Sequence, residues 1–117
     1  MLIDDLPTPA LLVDTTRLAA NIDRMQTKAD TQNVNLRPHA KTHKSPDIAT
    51  LQREAGAIGL TVATLDEAEQ FAEAGFTDLT IAYPMVGAVS HRRIRALREH
   101  SRHHLDRKVG AKQRQRS

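Results

Sequence analysis

Four apolar runs begin near residues 10, 34, 58 and 79, and a stretch with helical periodicity follows each one. The repeat distance, roughly 21 to 24 residues, suits one strand plus a helix of about three turns. Such a chain builds a parallel sheet, because each helix carries the chain back to the same edge by a right-handed crossover. The runs are apolar at most positions, as strands covered on both faces are. The expected fold class is therefore α/β, built from four consecutive βα units.

Local signals mark each unit. Ala10-Leu11-Leu12-Val13 reads as the first strand, and Asp14 caps a helix whose apolar stripe is Leu18, Ile22, Met25 and Ala29. The second strand starts at Val34-Asn35-Leu36 and runs to about Lys41. Ser45-Pro46-Asp47 then starts a helix with Ile48, Leu51 and Ala55 inward, and Gly56 closes it. The third strand is Ile58 to Ala63. Thr64 and Glu67 form a capping box before the inner face Leu65, Ala68, Phe71 and Ala72. The fourth strand is Leu79 to Tyr83, stopped by Pro84, and its helix carries Val89, Ile94 and Leu97.

Four units give either an open sheet or the first half of a (β/α)8 barrel, whose complete form needs about 250 residues. The chain has 117. A half barrel leaves two sheet edges exposed, which makes a homo-oligomer one expected outcome. Composition narrows the function classes. The chain has no cysteine, which excludes a disulfide scaffold, a Cys-ligated metal and a Cys nucleophile. Phe71, Phe76 and Tyr83 are its only aromatics, too few for a base-stacking platform. No apolar run approaches the length of a membrane span, and the opening Met-Leu-Ile-Asp-Asp is acidic where a secretion signal is basic. The expectation is a cytoplasmic protein without a membrane partner.

Charge divides the chain. Residues 1–90 hold 7 Lys and Arg against 12 Asp and Glu, whereas residues 91–117 hold 10 against 2. A fifth strand is due after His100, and none can be read there. Apolar residues are single and Arg and Lys dominate, so residues 101–117 read as a basic disordered tail after a domain of residues 1–100. A basic arm for nucleic acid is the functional alternative, but no base-reading motif accompanies the charge.

Chemistry concentrates in Arg37-Pro38-His39-Ala40-Lys41-Thr42-His43-Lys44-Ser45-Pro46. This segment lies where the second strand ends and its helix begins, the edge at which βα proteins place their active sites. A lysine at a strand end, partly desolvated and near other cations, presents a nucleophilic amine, as Schiff-base chemistry requires. The same composition also describes an ordinary solvated basic loop, and spacing by itself does not separate the two. His39 and His43 are four apart, but in strand and loop with Pro38 among them, so the helical metal-pair geometry does not apply. Tyr83 ends the fourth strand on the same edge, either lining the pocket or packing inward.

Leu6-Pro7-Thr8-Pro9-Ala10-Leu11-Leu12-Val13-Asp14, followed by Leu36-Arg37-Pro38-His39-Ala40-Lys41-Thr42-His43-Lys44 and then by Thr64-x-x-Glu67-Ala68, resembles the start of the D-threonine aldolase and D-serine dehydratase family. These are fold-type III pyridoxal phosphate enzymes with an alanine racemase-like N-terminal barrel, and the resemblance covers about residues 4 to 100. It implies that the four units are the first half of a (β/α)8 TIM barrel. It implies that Lys41 holds pyridoxal 5'-phosphate as an internal aldimine, with His39 and His43 lining or bracing the pocket beside Tyr83. The substrate would be a D-amino acid. Aldolases of the family cleave D-3-hydroxy amino acids to glycine and an aldehyde, and the dehydratases eliminate water to give pyruvate and ammonia.

The departures are equally specific. The family continues through the rest of the barrel into a β-rich domain, and holds a divalent metal through a His and a Cys or Asp near its C-terminus. The 117 residues contain none of this, so the expectation is an N-terminal lyase fragment that is inactive alone. A truncated or frameshifted reading frame accounts for the charge step, the absent fifth strand and the absent domain together. Two alternatives are a non-catalytic pyridoxal phosphate-binding protein and a basic-tailed nucleic-acid or partner-binding protein.

Overall fold

The computed structural model describes residues 2–114, with side chains through Arg102. Four helices occur in the expected order: α1 (Thr15–Thr31), α2 (Pro46–Ala55), α3 (Leu65–Glu73) and α4 (Ala88–Arg114). Each start is chemically specified where a cap is present. Asp14 accepts from the Arg17 N–H, Ser45 from Ile48, and Thr64 from Glu67, so each side chain satisfies a donor the helix itself leaves free. Gly56 closes α2 at φ 127°, a backbone conformation that residues with a Cβ rarely adopt.

Among the described residues two regular strands form, β1 (Leu60–Val62) and β2 (Leu79–Ile81), paired in parallel with Leu60 opposite Leu79 and Val62 opposite Ile81. The expected second strand is present as an irregular edge. Thr61 N–H donates to Pro38 O at 2.8 Å and Ala40 N–H donates to Thr61 O at 2.8 Å, which makes a single parallel bridge between His39 and Thr61. Pro38 has no N–H to donate to Gly59 O, so the ladder breaks there, and the next bond, Ile58 N–H to Leu36 O at 3.0 Å, falls one residue out of register. The expected first strand is not a strand. Residues 10–14 have no ladder partner, and Leu11 is 95% exposed. Four consecutive βα units thus become four helices around two strands and one bridged edge.

The core lies between the sheet and the helices, where Ala40, Leu60, Val62, Ala49, Ala68, Phe71 and Phe76 are buried together. Phe71 and Phe76 meet edge to face at 5.7 Å. The α3 inner face is the expected one, since Leu65, Ala68, Phe71 and Ala72 are all buried. In α2 the expected stripe is displaced: Ala49 is fully buried, whereas Leu51 is 44% exposed. Ala49 belongs to the same buried cluster as Ala40, and a methyl group there lets the helix approach the sheet more closely than a leucine would.

Where the sequence suggests a disordered tail, the described residues carry helix. The α4 helix continues through Arg114, and residues 115–117 lie outside the described residues. Helix formation does not require burial. Once a helix is nucleated, adding Arg, Lys, Leu, Ala and Gln residues costs little, and His103, His104, Asp106, Val109 and Gly110 cost up to about 1 kcal/mol each. The packed first turns supply that start. Arg93 forks onto Glu69 with bonds of 2.7 and 2.9 Å and also pairs with Asp66, and Leu97 packs on the core.

Candidate functional site

Register places the site. His39, Thr61 and Thr80 stand side by side across the bridged edge, β1 and β2. Two residues on, Lys41, Ala63 and Ala82 follow at the carboxyl ends. Side chains alternate along each strand, so Val62 and Ile81, with Ala40 beside them, turn into the helix-covered core. Lys41 is exposed in the turn just beyond the last bridged residue pair.

The loop around Lys41 is tied at nearly every polar group. His39 Nδ1 accepts from the Lys41 backbone N–H at 3.2 Å. Lys44 N–H donates to Ala40 O at 2.9 Å, closing one tight turn. His43 Nδ1 accepts from Ser45 N–H at 3.0 Å, so the ring proton sits on Nε2, which donates to Gln52 Oε1 at 3.1 Å. The ring also packs edge-on against Phe71. Burial holds the His43 pKa below its ordinary value, and a second ring proton would face the Ser45 donor.

Lys44 takes a left-handed backbone, φ 51°, and its Nζ donates to Glu67 Oε1 at 2.7 Å. Glu67 is a buried carboxylate whose second oxygen accepts from Ala63 N–H at 2.7 Å. The Lys44 ammonium and the Ala63 N–H hold its pKa below the usual carboxylate range. One further tie crosses the sheet. Arg37 passes over Gly59 to Asp78, joining the bridged edge to β2 through a 2.8 Å ion pair.

The four residues singled out from the sequence therefore have different surroundings. Lys41 stands free at the carboxyl edge. His39 fixes the Lys41 backbone and lines a cavity of about 320 Å³ with Leu18, Ile22 and Met25 of α1. His43 is a brace between the loop, α2 and the core. Tyr83 lines a separate cavity of about 240 Å³ with Thr64, Asp66, Met85 and Arg93, toward α3 and α4. No group of three or more His, Asp or Glu side chains that could hold a metal ion occurs among the described residues. Likewise no helix among them is long and apolar enough to cross a membrane.

Sequence reasoning missed the long-range partners. Gln52 and Glu67 carry only local signals, one a polar position in an amphipathic helix and the other a capping residue. Neither signal points to a loop 9 or 23 residues earlier in the chain.

Residues 13–110 match the family described as alanine racemase, N-terminal domain. The chain belongs to this family. Within it, the chain is similar to the D-threo-3-hydroxyaspartate dehydratase of Delftia sp. (strain HT23), with 55% identity over 80 residues, 68% of this chain and 21% of that protein. Its solved structure superposes with a TM-score of 0.77 over 81% of this chain and 25% of that one. The D-threonine aldolase of Arthrobacter sp. is 44% identical over 80 residues, again 68% of this chain and 21% of the relative. The crystal structure of D-threonine aldolase from Filomicrobium marinum gives a TM-score of 0.79 at 38% identity, over 81% of this chain and 26% of that one. The chain thus spans about a fifth of the length of the curated relatives it matches. The resemblance to dehydratases and aldolases of D-amino acids read from the sequence holds, and it is confined to their alanine racemase N-terminal domain.

Proposed function

We propose that this chain carries the cofactor-attaching part of a pyridoxal phosphate-dependent lyase for D-3-hydroxy amino acids, with Lys41 as the attachment lysine. One observation carries the assignment: of the four titratable side chains from His39 to Lys44, Lys41 alone has no hydrogen-bond or ion-pair partner among the described residues. Its backbone is fixed while its amine is free, which is what a covalent attachment point requires. Pyridoxal phosphate, when bound, supplies an electron sink for bonds broken at the substrate α-carbon.

The residues present fit that group in part. Lys41 offers the amine and, between attachment and release, a group able to carry a proton on its face of the site. His39 holds the Lys41 peptide in place, and His43 fixes the far side of the loop. Two relatives named for D-threo-3-hydroxyaspartate and D-threonine support a 3-hydroxy D-amino acid as the substrate class. The described residues are read as the first half of a barrel whose remaining strands close on the open edges. Turnover is assigned to that complete fold, and the 117 residues by themselves are assigned attachment without turnover.

The test is borohydride reduction of the chain with pyridoxal phosphate, followed by peptide mapping, beside Lys41→Ala. The expected result is one phosphopyridoxyl label on Lys41, lost in the variant. Labelling spread over Lys28 and Lys44, or no labelling, overturns the assignment.

A further inference from the structure

We infer that Glu67 selects which lysine of the loop reacts with a carbonyl compound: it holds Lys44 in an ion pair and leaves Lys41 as the reactive amine. The inference deepens the reading of Lys41 as the attachment lysine, but part of its test is independent of that reading.

Two lysines three residues apart on one exposed turn compete for any aldehyde that reaches them. The Lys44 side chain is still 64% exposed, so solvent access does not protect it. The protection comes from geometry. The Lys44 backbone is left-handed and its N–H is tied to Ala40 O, which sets the direction of the side chain. Its ammonium meets Glu67 at 2.7 Å, and the Glu67 side chain is 7% exposed. Glu67 cannot follow a departing Lys44. Its other oxygen is held by Ala63 N–H, and its own N–H is tied to Thr64 Oγ1 at 3.1 Å.

For Lys44 to attack a carbonyl, its nitrogen must give up a proton and swing away. That leaves Glu67 Oε1 as a buried anionic acceptor without its donor, a costly state. Lys41 carries no such penalty, because its amine has no partner among the described residues. Glu67 is thus a positioning residue, acting on the site through Lys44.

Reductive methylation with limiting formaldehyde and borohydride reads amine reactivity directly. The amine nitrogen adds to the carbonyl carbon, water leaves, and hydride reduces the resulting C=N bond to a stable N-methyl group. In the native wild-type chain Lys41 should be modified about tenfold faster than Lys44, the effect of one charge-assisted hydrogen bond. Urea-unfolded wild type should show equal rates, a comparison that needs no variant. Glu67→Gln, checked for folding by far-ultraviolet circular dichroism, should raise the Lys44 rate toward that of Lys41. Lys44→Arg keeps the ion pair and should leave the Lys41 rate unchanged.

Equal rates in the native wild type, or an unchanged ratio in folded Glu67→Gln, overturn the inference. A parallel arm with pyridoxal phosphate separates the two readings. If formaldehyde discriminates between the lysines but pyridoxal phosphate does not mark Lys41, the selection stands and the cofactor assignment falls.

Discussion

Gly59→Ala tests the sheet register that delivers Lys41 to its edge. Gly59 precedes β1, and its φ lies outside the left-handed region, so an alanine there meets no backbone penalty. By propensity alone the change would stabilise by about 0.5–1 kcal/mol. Space decides otherwise. An added Cβ would fall 2.5 Å from Asp78 O and closer still to Arg37 Nη1. Arg37 can swing aside at the loss of an exposed ion pair worth roughly 0–1 kcal/mol. Asp78 O cannot, because it accepts from Leu60 N–H at 3.0 Å, a bond of the β1–β2 ladder. Overpacking of about 1–3 kcal/mol and a weakened hydrogen bond of about 1 kcal/mol outweigh the propensity gain. The net expectation is a loss of about 1–4 kcal/mol, read as a lower urea midpoint with an unchanged slope by far-ultraviolet circular dichroism. A variant as stable as wild type, or more stable, would refute the argument, because the sign depends on the Asp78 carbonyl being immovable.

Phe71→Ala removes the ring that packs against Phe76 and His43 and should cost about 3–5 kcal/mol in the same assay. Lys41→Ala, by contrast, should leave stability within about 0.5 kcal/mol while abolishing the phosphopyridoxyl label, since the side chain is exposed and unpaired among the described residues. His43 has a pKa held below its ordinary 6.5, so the unfolded chain takes up a proton there more readily than the folded one. Its contribution to stability is complete above pH 6.5 and is lost as the pH falls toward the folded value. Urea midpoints between pH 7.5 and pH 5.5 should decline, and His43→Gln should flatten that decline.

What was legible in the sequence is what neighbours along the chain decide. Asp14, Ser45 and Thr64 cap their helices because a side-chain oxygen two or three residues from a free N–H needs nothing from the rest of the molecule. The buried face of α3 follows from periodicity for the same reason, as does the position of Lys41 at the end of an apolar run. The α2 face was not legible, because Ala49 rather than Leu51 joins the buried cluster that the sheet and α3 form with Ala40. The helical continuation past residue 100 has no apolar periodicity to announce it; α4 is anchored earlier, through Arg93 and Leu97.

The sequence by itself determined the order of the helices, the starts of three of them, and the polar loop with its two lysines. Only the tertiary structure decided which strands pair, that residues 10–14 remain without a ladder partner, and that Pro38 reduces the second strand to one bridge. It also decided the difference between Lys41 and Lys44. Both are lysines on one turn, alike in composition and spacing, and their inequality comes from a buried carboxylate 23 residues along the chain from Lys44. Strand pairing and ion pairing across the fold depend on distances that the sequence does not encode locally, and they are set when the helices close on the sheet.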